Sequence, residues 1–312
     1  MGAVAALIPL WLPATFAAAF IQTWRTALQQ RLRGRLSVGT AGLVRYLYAV
    51  PVGLLLLGVY CATTGARPPV PTAGFLAGCA VGGLGQVLGT SLLIMAFGYR
   101  NFAVGTAYST TDAVQAALAA AVLFREALPA VAWFGIGLGV AGVLTLSLTG
   151  RGVGRGVRPM DLLRASVQPA ALCGLGAGTG FAVAGLGIKA ATGALAVADP
   201  LLAALSALVV TNVMQTAMQG GFMAWREPAG VQAAFTEWRS AMWVGVLSAC
   251  GSACWFTGFA TAPVALVRTV GQVEMVFTLL FSRFYLHETL QRADMAGLVL
   301  IVAGVVLVLA VH

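Results

Sequence analysis

Asp112 and Glu274 are carboxylates set inside long apolar stretches, and Arg268 is a guanidinium six residues before the second of them. A charged side chain costs about 2.5–3.5 kcal/mol at the centre of an inserted helix, so groups of this kind persist there when they meet a ligand, an ion or one another. A carboxylate at that depth binds an ammonium group or exchanges a proton. An arginine there meets a carboxylate. Six residues put Arg268 about 120° around a helix from Glu274, a poor arrangement for pairing on one helix. Asp112 is therefore its expected partner, and simple mutual neutralisation of the two is the alternative to ligand binding.

Other polar groups accompany these three. Tyr108, Ser109, Asp112 and Gln115 fall three and four residues apart and share one helix face. The equivalent face around Glu274 carries Val270, Gly271 and Phe277, so the two carboxylates have different surroundings, as suits the two ends of an amphiphilic ligand. Gln272 lies one turn beyond Arg268. Asn212, Gln215 and Gln219 form a stripe, and Gln86, Thr90 and Ser91 form another. Such residues either line a cavity or hydrogen-bond neighbouring helices for roughly 0.6 kcal/mol apiece. Trp255 is deep enough in its segment to stack a substrate, whereas Trp11, Trp24 and Trp225 stand where interface anchors are expected. Glu126 and Glu288 each follow a buried carboxylate by fourteen residues and mark junctions between segments, where they cap a helix or gate a path.

The elements that position these groups follow from composition. Hydrophobic residues make up 60% of 312 and charged residues 9%, against roughly 25% charged in soluble domains. Solid apolar runs near ~20 residues long, without alternation, must cross lipid as helices. The chain is expected to be an all-α integral membrane protein of ten transmembrane helices, near 7–28, 40–62, 72–97, 102–124, 128–148, 169–190, 199–224, 240–260, 263–283 and 291–311. The Gly/Arg-rich connection 149–168 divides it into five-helix repeats, 1–148 and 169–312, and an odd number of crossings inverts the second relative to the first. Sliding the halves by 162 positions brings Asp112 onto Glu274, Glu126 onto Glu288, Gly135 onto Gly297 and Gly142 onto Gly304. The glycine stripes suit close helix packing within or between subunits, which leaves room for a homodimer.

Several function classes are excluded. Cys61, Cys79, Cys173, Cys250 and Cys254 contain no Cys-x-x-Cys, and Cys250 with Cys254 reads as small packing residues, so no disulfide framework, metal or cofactor is expected. The glycines at 174, 176, 178 and 180 lack the Lys-Ser/Thr pair of a phosphate loop. Only His287 and His312 occur, neither inside a span, and no catalytic constellation forms. The first apolar run lacks the basic start and small-residue cleavage site of a signal peptide and is expected to remain as a span. Apart from Arg268, 14 basic residues fall on the side reached after odd-numbered spans and three on the other. The net charge of +9 is thus topological and gives no reason to expect nucleic acid. By the positive-inside rule both termini lie outside the cytoplasm.

The segments VLFREAL (122–128) and VRTVGQVEMVFTLLFSRFYLHETL (267–290), each followed by a glycine-punctuated span, resemble the ten-span EamA type of the drug/metabolite transporter superfamily. The resemblance extends over nearly the whole chain. Glu274, Glu288 and Arg45 match family positions, while Met275 stands where a proline is usual, which removes an expected kink. The resemblance implies secondary transport of a small metabolite, often an amino acid leaving the cell, by a multi-pass protein of the cytoplasmic (inner) membrane with both termini inside. Rule and resemblance thus disagree on the termini. Efflux of lipophilic cations is an alternative, needing the carboxylates but not Arg268. A non-transporting membrane scaffold or lipid-binding protein is the alternative from another class.

Overall fold

The computed structural model describes residues 9–32, 36–98, 109, 111–123, 129–149, 169–277, 280 and 292–310. Among them every regular element is a helix: α1 Trp11–Leu32, α2 Val38–Leu47, α3 Ala49–Thr64, α4 Ala73–Gly98, α5 Asp112–Leu123, α6 Ala130–Thr149, α7 Pro169–Gly193, α8 Pro200–Arg226, α9 Pro228–Thr236, α10 Trp238–Thr261, α11 Val264–Gly271 and α12 Arg292–Leu309. Five stretches are long and apolar enough to cross a membrane: Val38–Thr64, Ala73–Ala96, Leu172–Gly193, Pro200–Arg226 and Trp238–Thr261. Shorter apolar helices cover Asp112–Leu123, Ala130–Gly142 and Val299–Val308. Glu126, Glu288, Tyr108, His287 and the 150–168 connection lie outside the described residues.

Prolines punctuate the chain. Pro51 lacks an N–H and its ring crowds the carbonyl four residues back, at Leu47, which is where α2 gives way to α3. Pro200 and Pro228 open α8 and α9 at the first helical position, where a missing donor costs nothing. Ahead of Pro200, Asp199 Oδ1 accepts from the N–H groups of Leu201 at 3.0 Å and Leu202 at 3.3 Å, while Tyr60 Oη donates to Oδ2. α9 was not foreseen in the sequence. Its nine residues fall in the gap between the expected spans 199–224 and 240–260, and Gly230 and Ala234 give them a buried face.

The chain forms two compact units, one of Met1–Val87 with Val183–Ala262, the other of Leu88–Ala182 with Pro263–His312. Each draws on both halves of the sequence. In the first unit α10 packs on α1, α2, α3 and α8, and α8 packs on α2, α3 and α9. Here a core of Leu36, Leu43, Val44, Met223, Ala234, Ala241 and Val244 seats α9 on α2. In the second unit α6 packs along α12, and α5 on α11.

The α6–α12 contact uses the glycine stripes reciprocally. A Cβ on Gly135 would stand 2.8 Å from Gly304 O, and one on Gly142 would stand 2.7 Å from Gly297 O. The backbones touch, running in opposite directions, so the stripes are consumed inside one chain and give no reason to expect a homodimer.

Two predictions follow from this packing. Gly142→Leu must force α6 and α12 apart, because its obstacles are backbone, and should cost about 1–3 kcal/mol. Gly137→Ala, with nothing within 4 Å of the new methyl, should leave the unfolding temperature in detergent unchanged or slightly higher. Equal unfolding temperatures for Gly142→Leu and the wild type would refute the contact. The second concerns Asp199, whose carboxyl is held below its ordinary value chiefly by the hydrogen bond from Tyr60, with the α8 N–H groups assisting. A depressed carboxyl stabilises above its unfolded pKa of about 3.9 and loses that contribution as pH falls through its folded value. Asp199→Asn should therefore flatten the acid limb of an unfolding-temperature profile, and Asp199→Ala should also lose a cap of about 1 kcal/mol.

Candidate functional site

The second unit gathers the charged groups. Asp112 stands in the first turn of α5, where the helix dipole favours an anion. Arg268 is the fifth residue of α11, a helix whose other neighbours are Ala265, Leu266, Val267, Thr269 and Val270, all buried. Ala113, Ala117, Ile136 and Ala265 pack into one small cluster that brings the two helices together. Arg268 Nη1 lies 3.3 Å from Asp112 Oδ2, with the side chains 12% and 11% exposed. This is the partner expected from helix geometry.

Arg268 has a further anchor that the sequence reading missed. Its Nη2 donates to the carbonyl of Phe181 on α7 at 2.9 Å, and its guanidinium carbon lies 5.9 Å from the centre of the Phe181 ring. Both contacts come from the residue that follows the glycine run 174–180, a run set aside in the sequence only as lacking the features of a phosphate loop. The glycines do pack: a Cβ on Gly178 would meet Ser109 O at 2.9 Å. Within the same run Thr179 Oγ1 donates to Gln115 Oε1 at 2.7 Å, and Gln115 Nε2 donates to Thr111 Oγ1 at 2.9 Å. The second unit thus holds two polar sets on neighbouring turns of the same segments, Asp112 with Arg268 and Phe181, and Gln115 with Thr111 and Thr179, with buried Ser109 packed on Gly178.

Gln272 and Glu274 complete the unit's polar residues. Gln272 is buried at the end of α11, with neither amide atom hydrogen-bonded to a described residue and its Oε1 directed at Gly139. Glu274 is half-buried in a helical segment over 273–277. The absence of a proline at 275 was expected to leave this stretch regular. Instead Gln272 N bonds Thr269 O at 3.1 Å and Met275 N bonds Gln272 O at 2.9 Å. These are three-residue spacings, a tightened turn of the kind that marks hinges inside helices. A glycine at 271 supplies the irregularity where a proline does not.

Gln86, Asn212, Gln215, Gln219 and Trp255 belong to the first unit. Gln215 Nε2 donates to Gln86 Oε1 at 2.7 Å and to Gly83 O at 3.3 Å, while Tyr46 Oη donates to Gln86 O at 3.3 Å. Gln219 Nε2 donates to Gly39 O at 3.2 Å. Asn212 is buried on the same helix. Gln215 and Gln219 therefore spend their amides on α4 and α2, the helix-bonding alternative to cavity lining, whereas Asn212 Nδ2 bonds no described residue. Trp255 is buried, donates to Gln22 Oε1 at 3.0 Å and stacks on Phe259 at 5.8 Å. In this conformation its ring is part of the core.

Two expectations about basic and aromatic residues need correction. Arg268 is not the sole basic residue deep in an apolar segment: Arg45 is buried within the Val38–Thr64 stretch, its guanidinium 5.3 Å from the Tyr46 ring, and Arg25 is buried in α1. Lys189 Nζ donates to Ala262 O at 3.0 Å, where the end of α10 leaves a carbonyl open. Trp11 is buried rather than placed as an interface anchor, because α1 turns it into the bundle. Trp24 and Trp225, by contrast, are exposed.

Among solved structures, the crystal structure of a protein superposes with a TM-score of 0.68 at 18% sequence identity, covering 96% of each chain, which is a likeness of fold. No curated protein matches the chain. The model of the EamA-like transporter family matches residues 168–310, the stretch that carries Phe181, Arg268 and Glu274. Over residues 168–310 the chain is thus similar to the EamA-like transporter family of the drug/metabolite transporter superfamily.

Proposed function

We propose that the protein is a ten-span secondary transporter that exports a zwitterionic, amino-acid-like metabolite by alternating access, with Asp112 and Arg268 at its substrate site. The buried contact between those two residues is the observation that carries this reading. The pair is neutral as a whole. Removing one partner of a buried pair costs 3–5 kcal/mol or so, because a lone charge is left behind. A purely cationic or purely anionic substrate would do this on binding. A zwitterion replaces both partners at once, its ammonium on Asp112 and its carboxylate on Arg268. Phe181 O and the Phe181 ring hold Arg268 while Asp112 is exchanged for a ligand carboxylate. Gln115 and Thr179 supply neutral polar contacts beside them.

Support for inverted five-helix repeats comes from the 162-residue offset and from the reciprocal α6–α12 contact, in which Gly135 meets Gly304 and Gly142 meets Gly297. The offset makes each of these glycines the equivalent of its partner's neighbour, as a two-fold axis in the membrane plane requires. Glu274, the counterpart of Asp112, is the proposed proton-exchanging group, and the tightened turn at Gln272 is the proposed hinge. The excess of basic residues supports both termini lying outside the cytoplasm. Arg25 and Arg45, being buried in helices, leave the larger count without reversing it.

Counterflow of a labelled amino-acid panel into proteoliposomes tests the site. Asp112→Asn combined with Arg268→Gln keeps shape and leaves no unpaired charge, so the protein should fold while amino-acid uptake falls at least about tenfold, the ~1.4 kcal/mol of a single lost charged hydrogen bond. Wild-type rates in that double variant would reject the pair as the site. Uptake of lipophilic cations but no amino acid by the wild type would favour the cation-efflux alternative, and no transport at all would favour a scaffold. Glu274→Gln should abolish stimulation by a pH gradient while counterflow persists. An unchanged response to the gradient would remove Glu274 from coupling.

A further inference from the structure

The chain leaves α8 and returns through α10 by a turn whose two ends read alike. Trp225, Arg226 and Glu227 close α8, and Glu237, Trp238 and Arg239 open α10, with α9 between them. At each end a guanidinium lies over the preceding indole, Arg226 at 5.4 Å from the Trp225 ring and Arg239 at 5.5 Å from the Trp238 ring. All four side chains are exposed, Trp225 to 76%. Neither arginine is ion-paired with a described residue. Glu227, the nearest carboxylate in sequence to Arg226, is engaged elsewhere, accepting from Ser37 Oγ at 3.0 Å.

The turn is held rigidly from its inner side. Gly230 is pressed against Thr40 and Met223, Ala234 is buried, and the Ala234 carbonyl accepts from Tyr48 Oη at 2.9 Å. Its outer side presents Gln232 and Phe235, with Phe222 and Trp243 exposed on the helices that flank it. α8 has 27 residues and is therefore about 40 Å long, more than the ~30 Å of hydrocarbon. Its last turn consequently reaches the headgroup layer, the depth at which exposed tryptophans and arginines are stable. Arginine there binds phosphate oxygens with its planar fork while its face stays on the indole.

We infer that the α8–α9–α10 turn is a binding site for acidic phospholipid headgroups, in which Arg226 and Arg239 take the phosphate charge and Trp225, Trp238 and Phe235 lodge beside the upper acyl chains. An acidic lipid is favoured over a zwitterionic one because the turn offers two cations without paired carboxylates, and a choline or ethanolamine group would bring a third cation to them. The site is independent of the transport reading.

Native mass spectrometry of the full chain, released from bilayers of equal phosphatidylglycerol and phosphatidylcholine with matched acyl chains, tests it. The wild type should retain phosphatidylglycerol in preference. Arg226→Gln with Arg239→Gln should reduce that preference on the order of tenfold. Arg226→Lys with Arg239→Lys should keep most of it, and Arg67→Gln, at an exposed arginine in the 65–72 connection, should leave it unchanged. Equal retention of the two lipids by the wild type, or an undiminished preference in the double glutamine variant, overturns the inference.

Discussion

Hydrocarbon offers backbone and side chains no water to bond, and the arrangement of this chain follows from that constraint. Each N–H and C=O inside a span must find its partner along the helix, so irregularity is confined to places where the protein supplies a substitute. Asp199 supplies acceptors for the first N–H groups of α8. Lys189 supplies a donor for Ala262 where α10 ends before Pro263. Tyr48, at the join that Pro51 forces between α2 and α3, sends its hydroxyl to Ala234 of α9. Asp199 and Lys189 thus answer the open backbone groups at the start of α8 and the end of α10, while Tyr48 ties the α2–α3 join to α9.

Without a hydrophobic driving force between helices in lipid, association depends on how closely they approach and on bonds between them. The chain uses the two means in different places. On α6 and α12 four glycines let the backbones approach until the carbonyls of Gly304 and Gly297 face Gly135 and Gly142, with the Val308 and Ile301 side chains packed beside them. On α8 the contact is made by amides, with Gln215 and Gln219 reaching Gln86, Gly83 and Gly39 across the helix boundary. The first device tolerates no added carbon. The second tolerates changes of size but leaves a buried donor or acceptor open if an amide is lost.

Segment composition revealed the all-helical class and the five described stretches long and apolar enough to cross a membrane, because continuous apolarity near membrane length has one solution in lipid. The Arg268–Asp112 contact was legible too: a buried cation 120° from the carboxylate on its own helix must look to another helix, and Asp112 was the available acid. Phe181 was not legible, because its contribution to Arg268 is partly a backbone carbonyl, which every residue owns and no sequence advertises. The tightened turn at Gln272 was missed for a related reason. Proline is the familiar sign of a helix irregularity, and here Gly271 precedes one without it. α9 escaped because nine residues are too few for periodicity to declare a buried face. The polar stripe on α8 showed its residues plainly, but cavity lining and helix bonding use the same residue types at the same spacing, and only the distances separate them.

The charge pair differs from these structural devices in one respect. A glycine contact or an amide bridge loses only its own contribution when broken, whereas separating Asp112 from Arg268 leaves two buried charges that each demand a new partner. Phe181 meets part of the demand on the arginine side, through its carbonyl and its ring. On the aspartate side the first turn of α5 gives the dipole of a short helix and the backbone N–H of Ala113. On separation Arg268 thus keeps a carbonyl and a ring, and Asp112 keeps a backbone N–H at the start of its helix. If the pair is the substrate site proposed above, a ligand entering it would have to offer an ammonium group to Asp112 and a carboxylate to an arginine that stays where it is, which an amino-acid-like zwitterion does and a free carboxylate of the same size does not.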